Sequence, residues 1–342
     1  MPGQPESGGL RLFGRLDPIP GSRRFAPLCG ADTHLFRRVG STDQITLSSM
    51  STFISPSELI INSDGSVFHL HLRPEQLADT VILVGDPDRS TLIASHFDRI
   101  ESSTASREFR SHTGTLNGVR LTVLSTGIGC DNIDIVMTEL DALANVDFET
   151  RRVKPLPERR SLRIVRLGTS GALQEDIPFG AMIMATVSGG LDGLLNFYAD
   201  RERVCDRELE EAFVRQTRWE ERWATPYFVP NDPELVERFS DVAIRGLTLS
   251  APGFFGPQGR VVRLPLMRAD YIETIRQFEH EGLRVTNFEM ESSAIAGLAA
   301  LLGHRALTLC TVIVQRAAGD SRPDYAPFVQ RMIETALEKL TL

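Results

Sequence analysis

Two arginines in this chain stand beside glycines at the ends of apolar runs: Arg89 in Gly85-Asp86-Pro87-Asp88-Arg89, and Arg166 in Arg166-Leu167-Gly168-Thr169-Ser170-Gly171. Bare backbone N–H groups next to a planar, permanently charged fork are what an oxyanion such as phosphate needs. A third segment, Glu289-Met290-Glu291, sets two carboxylates beside a methionine, suited to gripping sugar hydroxyls against an apolar face. A fourth, Phe254 to Arg260, joins aromatic rings to Gln258 and Arg260. Each piece has a plainer reading. Gly-Asp-Pro is an ordinary turn after a buried strand, Arg166 could pair with a nearby carboxylate, and either glutamate could cap a helix. Together the four segments point to one site for an anion and a sugar.

The elements that would carry them alternate. Val81-Ile82-Leu83-Val84 reads as a buried strand ending at Gly85, with Asp88 to His96 helical and Asp86 or Asp88 as its N-cap. Val119 to Leu124 is the next strand, turned by Ser125-Thr126-Gly127-Ile128-Gly129, before the helical spacing of Ile133, Val136, Met137, Leu140 and Leu143. Leu162 to Leu167 reads as a strand aimed at a turn at Gly168, Ala181 to Val187 as another, and Glu149 to Arg163 as a surface loop. Pro233 to Gly246 and Glu291 to Leu302 read as helices, Arg305 to Val314 as a strand, and Tyr325 to Leu340 as an amphipathic helix. Asp200 to Asp232, with Trp219 and Trp223, has no clear periodicity. The expected fold is a single α/β domain with a mixed, largely parallel central sheet flanked by helices, ligands sitting at the carboxyl ends of strands.

A formal charge of -8 argues against a general nucleic-acid binder, so any anion must be held by local arginines. Cys29, Cys130, Cys205 and Cys310 lack metal-ligand or disulfide spacing, no metal site is expected, and no apolar run approaches a membrane span. The reading is cytoplasmic. Residues 1–49 are rich in Gly, Pro and Arg without an apolar signal core. They read as a disordered or mis-translated extension, with Met50 the true start and 50–342 the catalytic domain. Neither a GxGxxG fingerprint nor a GxxxxGK[ST] loop occurs, and no Ser/His/Asp or Cys/His arrangement supports covalent catalysis.

From about Val67 to Leu340 the motifs, in order and spacing, resemble the nucleoside phosphorylase superfamily and, within it, the uridine phosphorylases. The resemblance rests on Phe68-His69-Leu70, Gly85 to Arg89, Arg107-Glu108-Phe109, Ser125 to Gly129, Arg166 to Gly171, Glu289-Met290-Glu291-Ser292 and Val312-Ile313-Val314-Gln315-Arg316. It implies that Gly85, Arg89, Arg166 and Thr169 bind phosphate, with Arg107 reaching in from a neighbouring subunit. It implies a ribose site of Met290, Glu291 and the neighbour's His69, with Thr126 and Glu289 lining it. Base contacts would come from Phe254, Gln258, Arg260, Ile313 and Val314, and Arg316 would belong to a lid over the base. Catalysis would fall to Arg260, Gln258, Glu291 and Arg316. The implied activity is phosphorolysis of uridine to uracil and ribose 1-phosphate, without a cofactor, in a homo-oligomer of dimers that share active sites, up to a hexamer.

The sequence also departs from that pattern. Gly-Pro-Gln replaces the usual Pro-Gly-Gln order, and the loops at 151–163 and 200–232 are long. Asn132 stands where a hydroxyl residue often helps bind a potassium ion beside Glu108. Other readings stay open: a purine nucleoside phosphorylase, which would place an Asp near Gln315 or Arg316, a nucleosidase of the same fold, and a non-catalytic nucleoside-binding protein.

Overall fold

The computed structural model describes residues 53–321 and 323–342. The N-terminal extension and its proposed boundary at Met50 lie outside them. In chain order the strands are β1 (Thr80–Val84), β2 (Arg99–Ser106), β3 (Phe109–Leu116), β4 (Val119–Ser125), β5 (Val146–Asp147), β6 (Arg152–Val153), β7 (Arg163–Ala172), β8 (Met182–Gly190), β9 (Tyr227–Pro230), β10 (Ile244–Ser250), β11 (Glu279–His280), β12 (Leu283–Glu289), β13 (Arg305–Gln315) and β14 (Asp320–Ser321). The α-helices are α1 (Pro87–Ala94), α2 (Cys130–Asn145), α3 (Arg207–Thr217), α4 (Pro233–Arg238), α5 (Tyr271–Arg276), α6 (Ser292–Leu302) and α7 (Ala326–Thr341).

β1 shows how the layers arise. Its side chains alternate between faces, and both faces are covered. Val81 and Leu83 pack with Ile133, Met137 and Leu140 of α2 and Ile295 of α6. Ile82 and Val84 pack with Ile93 of α1 and Met332, Ile333 and Leu340 of α7. The result is a sheet between two helical layers.

The sheet is mixed. Among the described residues, β4, β1, β7 and β13 run parallel side by side, and β10 is parallel to β8 and β12. The other pairings are antiparallel, including the β2–β3–β4 meander and β13 with β8. A largely parallel sheet is the expectation, but antiparallel neighbours occur in the β2–β3–β4 meander and also in the middle of the sheet, where β13 meets β8. β12 also pairs antiparallel with β7, so β7, β13, β8, β10 and β12 close into a ring.

Three expected elements differ, and one stretch left unassigned takes regular structure. β7 runs through Gly168 to Ala172 instead of turning there. The helix expected over Pro233 to Gly246 stops at Arg238, because Ile244–Ser250 pairs between β8 and β12. The loop expected over Glu149 to Arg163 holds the short β5–β6 ribbon's second strand. The stretch from Asp200 to Asp232 folds into α3 and β9, with Trp219 and Trp223 stacked edge-on against each other and against Tyr271.

Candidate active site

β1 ends one residue before Gly85, and Asp86 caps α1 by accepting from the Asp88 N–H at 2.9 Å. This start of α1 aims Arg89 at β7, where its Nη1 donates to the Leu167 carbonyl at 3.3 Å. Leu83 pairs with Arg166, so β7 projects past the end of β1 and brings Gly168, Thr169 and Ser170 level with the Gly85 turn. Gly168 is glycine for a steric reason: a Cβ there would overlap the Arg166 guanidinium folded back along its own strand.

Arg166 is buried between two carboxylates. Its Nη2 donates to Glu291 Oε2, and its Nη1 lies 3.3 Å from Glu289 Oε2. Burial opposes the Arg166 charge, yet Glu291 and Glu289 outweigh it and hold the guanidinium above its ordinary value. Burial pushes the Glu291 carboxyl up, and Arg166 offsets part of this. Arg89 is held below its usual value by burial and then by the charge of Arg166, the mark of two cations converging. The Cys310 thiol, 3.6 Å from Arg166 Nη1, is pushed up to about 12 by burial and stays neutral, so it is no nucleophile.

The two glutamates divide their work. Glu289 ends β12 and caps α6, accepting from the Ser292 backbone N–H and hydroxyl and from Ser250 Oγ at 2.6 Å. Glu291 is tied on one oxygen to Arg166 and on the other to the Gly129 N–H at 2.6 Å. The ion-pair reading of Arg166 and the capping reading of Glu289 therefore hold together with their place in the site.

At the far end, the loop after β10 folds over itself. Arg260 lies over the Phe254 ring, 3.9 Å from its centroid, and donates to the Phe254 carbonyl at 2.7 Å and to Gln258 Oε1. Gln258 is buried, with its Nε2 3.5 Å from the Glu289 carbonyl. Arg316 donates to the Gln258 carbonyl. Burial, then the Arg260 charge, pushes Arg316 down to about 10, so it remains charged at neutral pH.

Arg89, Arg166, Glu289, Glu291, Phe254, Gln258 and Arg260 line one cavity of about 520 Å³. It brings together Gly85, Arg89, Arg166, Thr169, Phe254, Gln258, Arg260, Glu289, Met290, Glu291, Ile313 and Val314 from the sequence-based set. Ser170, Ile128 and Phe288 line it too, and sequence reasoning missed them. Ser170 Oγ is buried without a partner, a polar signal that alternation along a strand could have flagged.

Four expected residues lie off the lining. Thr126 turns its hydroxyl to the Gly127 carbonyl at 3.0 Å and to Val84 O at 3.3 Å, so it braces the loop behind. Arg316 sits behind Gln258. His69 lies on a turn with its Nδ1 2.6 Å from Glu139. Arg107 is exposed at the β2–β3 turn. The potassium site implied beside Glu108 does not fit the residues present. Asn132 Nδ2 already donates to Glu108 Oε1 at 3.0 Å and to the Thr126 carbonyl at 2.9 Å.

A larger cavity of about 820 Å³, walled by Trp219, Trp223 and Tyr271, lies behind the Phe255–Arg260 loop. No helix among the described residues is long and apolar enough to cross a membrane.

Comparison with known proteins places the chain among characterised relatives. A family model described as the phosphorylase superfamily matches residues 79–341. The uridine phosphorylase of Haemophilus influenzae is 30% identical over 259 residues, 73% of this chain and 86% of that protein. That of Thermococcus kodakarensis is 29% identical over 263 residues, 75% of this chain and 80% of its own. Among solved structures, a Trypanosoma brucei nucleoside phosphorylase, described as showing uridine phosphorylase activity, superposes with a TM-score of 0.75 at 30% identity. It covers 82% of this chain and 99% of that one.

Proposed function

The chain belongs to the phosphorylase superfamily, and on that premise we propose that its cavity carries out phosphorolysis of uridine, giving uracil and ribose 1-phosphate. One observation carries the reading: a single cavity is lined by Arg89 and Arg166, by Glu291 bonded to Arg166, and by the Gln258–Arg260 pair beside the Glu289 carbonyl. That set matches phosphate, pentose and pyrimidine. The uridine phosphorylase relatives support the substrate.

The glycosidic bond stretches first, leaving a cationic sugar and a departing uracil anion. Phosphate held by Arg89, Arg166 and a neighbour's Arg107 stabilises the sugar cation and attacks its anomeric carbon. Glu291 still has lone pairs for ribose hydroxyls beside its two existing bonds, and fixes the sugar in line. Gln258 matches both the carbonyl and the ring N–H of uracil, and Arg260 donates to charge growing on the base, as an oxyanion hole does. No general acid is needed, because the leaving anion is delocalised. Nor is a cofactor required. Sharing Arg107 and His69 between subunits makes a dimer the smallest complete unit.

A purine reading needs an acid at the base end. The acidic residues lining the cavity are Asp86, Glu289 and Glu291, none beside Gln315. Gln315 itself is spent on the Gln174 and Ile177 carbonyls. A nucleosidase would use water and need no paired arginines. The test is a panel of nucleosides incubated with and without phosphate, following free base and sugar phosphate. Uridine cleaved only when phosphate is present, with inosine untouched, is expected. Cleavage by water alone, or of inosine in preference, overturns the reading.

A further inference from the structure

Two oxygens at the paired ends of the β3–β4 hairpin share one donor: the Glu108 carboxylate and the Thr126 carbonyl. Asn132, in the first turn of α2, sets its amide nitrogen between them at 3.0 and 2.9 Å. A carboxamide has two N–H groups, and both are used.

The two oxygens depend on this nitrogen to different degrees. Thr126 is held independently, its N–H donating to the Val84 carbonyl at 2.8 Å. The Glu108 side chain has no other hydrogen-bond partner among the described residues. The Glu108 carbonyl is also pinned, by Ser125 Oγ at 2.5 Å, so Asn132 completes the clamp on this residue. Its neighbour Arg107 sits at φ 54°, a left-handed conformation that a side-chain-bearing residue keeps only when its surroundings impose it. Loosening Glu108 therefore loosens the turn that presents Arg107.

A carboxylate and a carbonyl oxygen a few ångströms apart are ligands of the kind a hard monovalent cation takes. Here a donor anchored covalently to a helix of sixteen residues occupies the place. It cannot exchange with solvent.

We infer that Asn132 is a positioning residue that locks the Arg107–Glu108 turn against the Thr126 loop, and that its amide replaces a bound cation, so that this protein works and holds its fold without potassium. The kinetic arm rests on the phosphorolysis reading. The thermal arm does not.

The experiment uses the full chain, wild type and Asn132→Ser, in potassium chloride and in choline chloride at equal ionic strength. Melting temperatures are taken without substrate, and initial rates at varied phosphate and at varied uridine. Wild type should give the same rate and melting temperature in both salts. Asn132→Ser should raise the phosphate KM about tenfold and leave the uridine KM within about twofold. Potassium should recover part of that loss, by filling the vacated place between the oxygens. A wild-type rate or melting point that rises with potassium overturns the inference. So does an unchanged phosphate KM in the variant, or both KM values rising together, which would mark general structural damage. Wild type inactive on uridine in either salt would sink phosphorolysis instead, and the salt comparison of melting points would still decide the cation.

Discussion

Arg166 lines the cavity with Arg89 and is paired with Glu291 and Glu289. The residue is buried, and its charge is held by these two carboxylates before any substrate enters. Glu291 carries the consequence for pH. Its carboxyl lies above the ordinary value, chiefly through burial, with Arg166 pulling back. The folded protein thus binds this proton more tightly than the unfolded chain does, and protonating Glu291 does not by itself favour unfolding. What it does remove is the ion pair to Arg166 and, on the proposed reading, the acceptor for ribose. On acidification we expect kcat/KM to fall at a midpoint above 4.5, the ordinary value, while circular dichroism stays native. Loss of rate and structure together would count against it. Arg260 lies in the loop after β10. Its guanidinium is fixed by the Phe254 ring and the Gln258 amide oxygen, so on the proposed reading it would donate to the base without reorganising. Arg260→Ala should lower kcat for uridine about a hundredfold, the size of a lost oxyanion donor. Steady-state rates at saturating phosphate check this, and unchanged turnover would remove Arg260 from the base site.

At the scale of elements, the base loop is held from behind by α5. The Tyr271 hydroxyl donates to the Pro257 carbonyl at 2.9 Å, and Ile272 fills the space a Cβ on Gly259 would need. Gly259 lies between Gln258 and Arg260 with φ +70°, so α5 meets the loop beside the two residues proposed to read the base. Tyr271→Phe should raise the uridine KM about fivefold, one buried hydrogen bond's worth, with the phosphate KM unmoved. Equal shifts in both, measured by initial rates, would show that Tyr271 does not act through the loop. Little of this clamp was legible in the sequence. The glycine-ended strands β1 and β4 were, and so were α2, α6 and α7, because their apolar spacing matches what they bury. The path of β7 was not, since Gly168 reads as a stop yet serves to seat Arg166. Pairing of β10 with β8 and β12 overrode a helical pattern that no local signal contradicted. Val67 to Leu72 alternates like a strand, but Glu139 takes the backbone N–H groups of His69 and Leu70 and bends the segment into a turn. Contacts between residues seventy apart leave no trace in local spacing.

At the scale of the whole molecule, one chain leaves its own cavity short of two groups that the family resemblance assigns to it. Arg107 and His69 lie off the lining, Arg107 exposed and His69 held by Glu139. Around the site, Ile128 is 69% exposed and Phe254 and Phe255 are also uncovered. If a neighbour lends Arg107, the site spans two chains, and two defects in different chains can be sorted apart. Arg107→Ala alone should weaken phosphate in both sites of a dimer, and Glu291→Ala should disable the sugar in both. Coexpressed, the two variants form heterodimers in which one site carries both lesions and the other carries neither. Half the dimers are then mixed and half their sites intact, so activity at low phosphate should return to about one quarter of wild type. The purified heterodimer, isolated through two different affinity tags, should show half-site occupancy by a nucleoside titrated calorimetrically. If the mixture is no more active than its parents, Arg107 serves the chain it belongs to, and the shared site has to be given up.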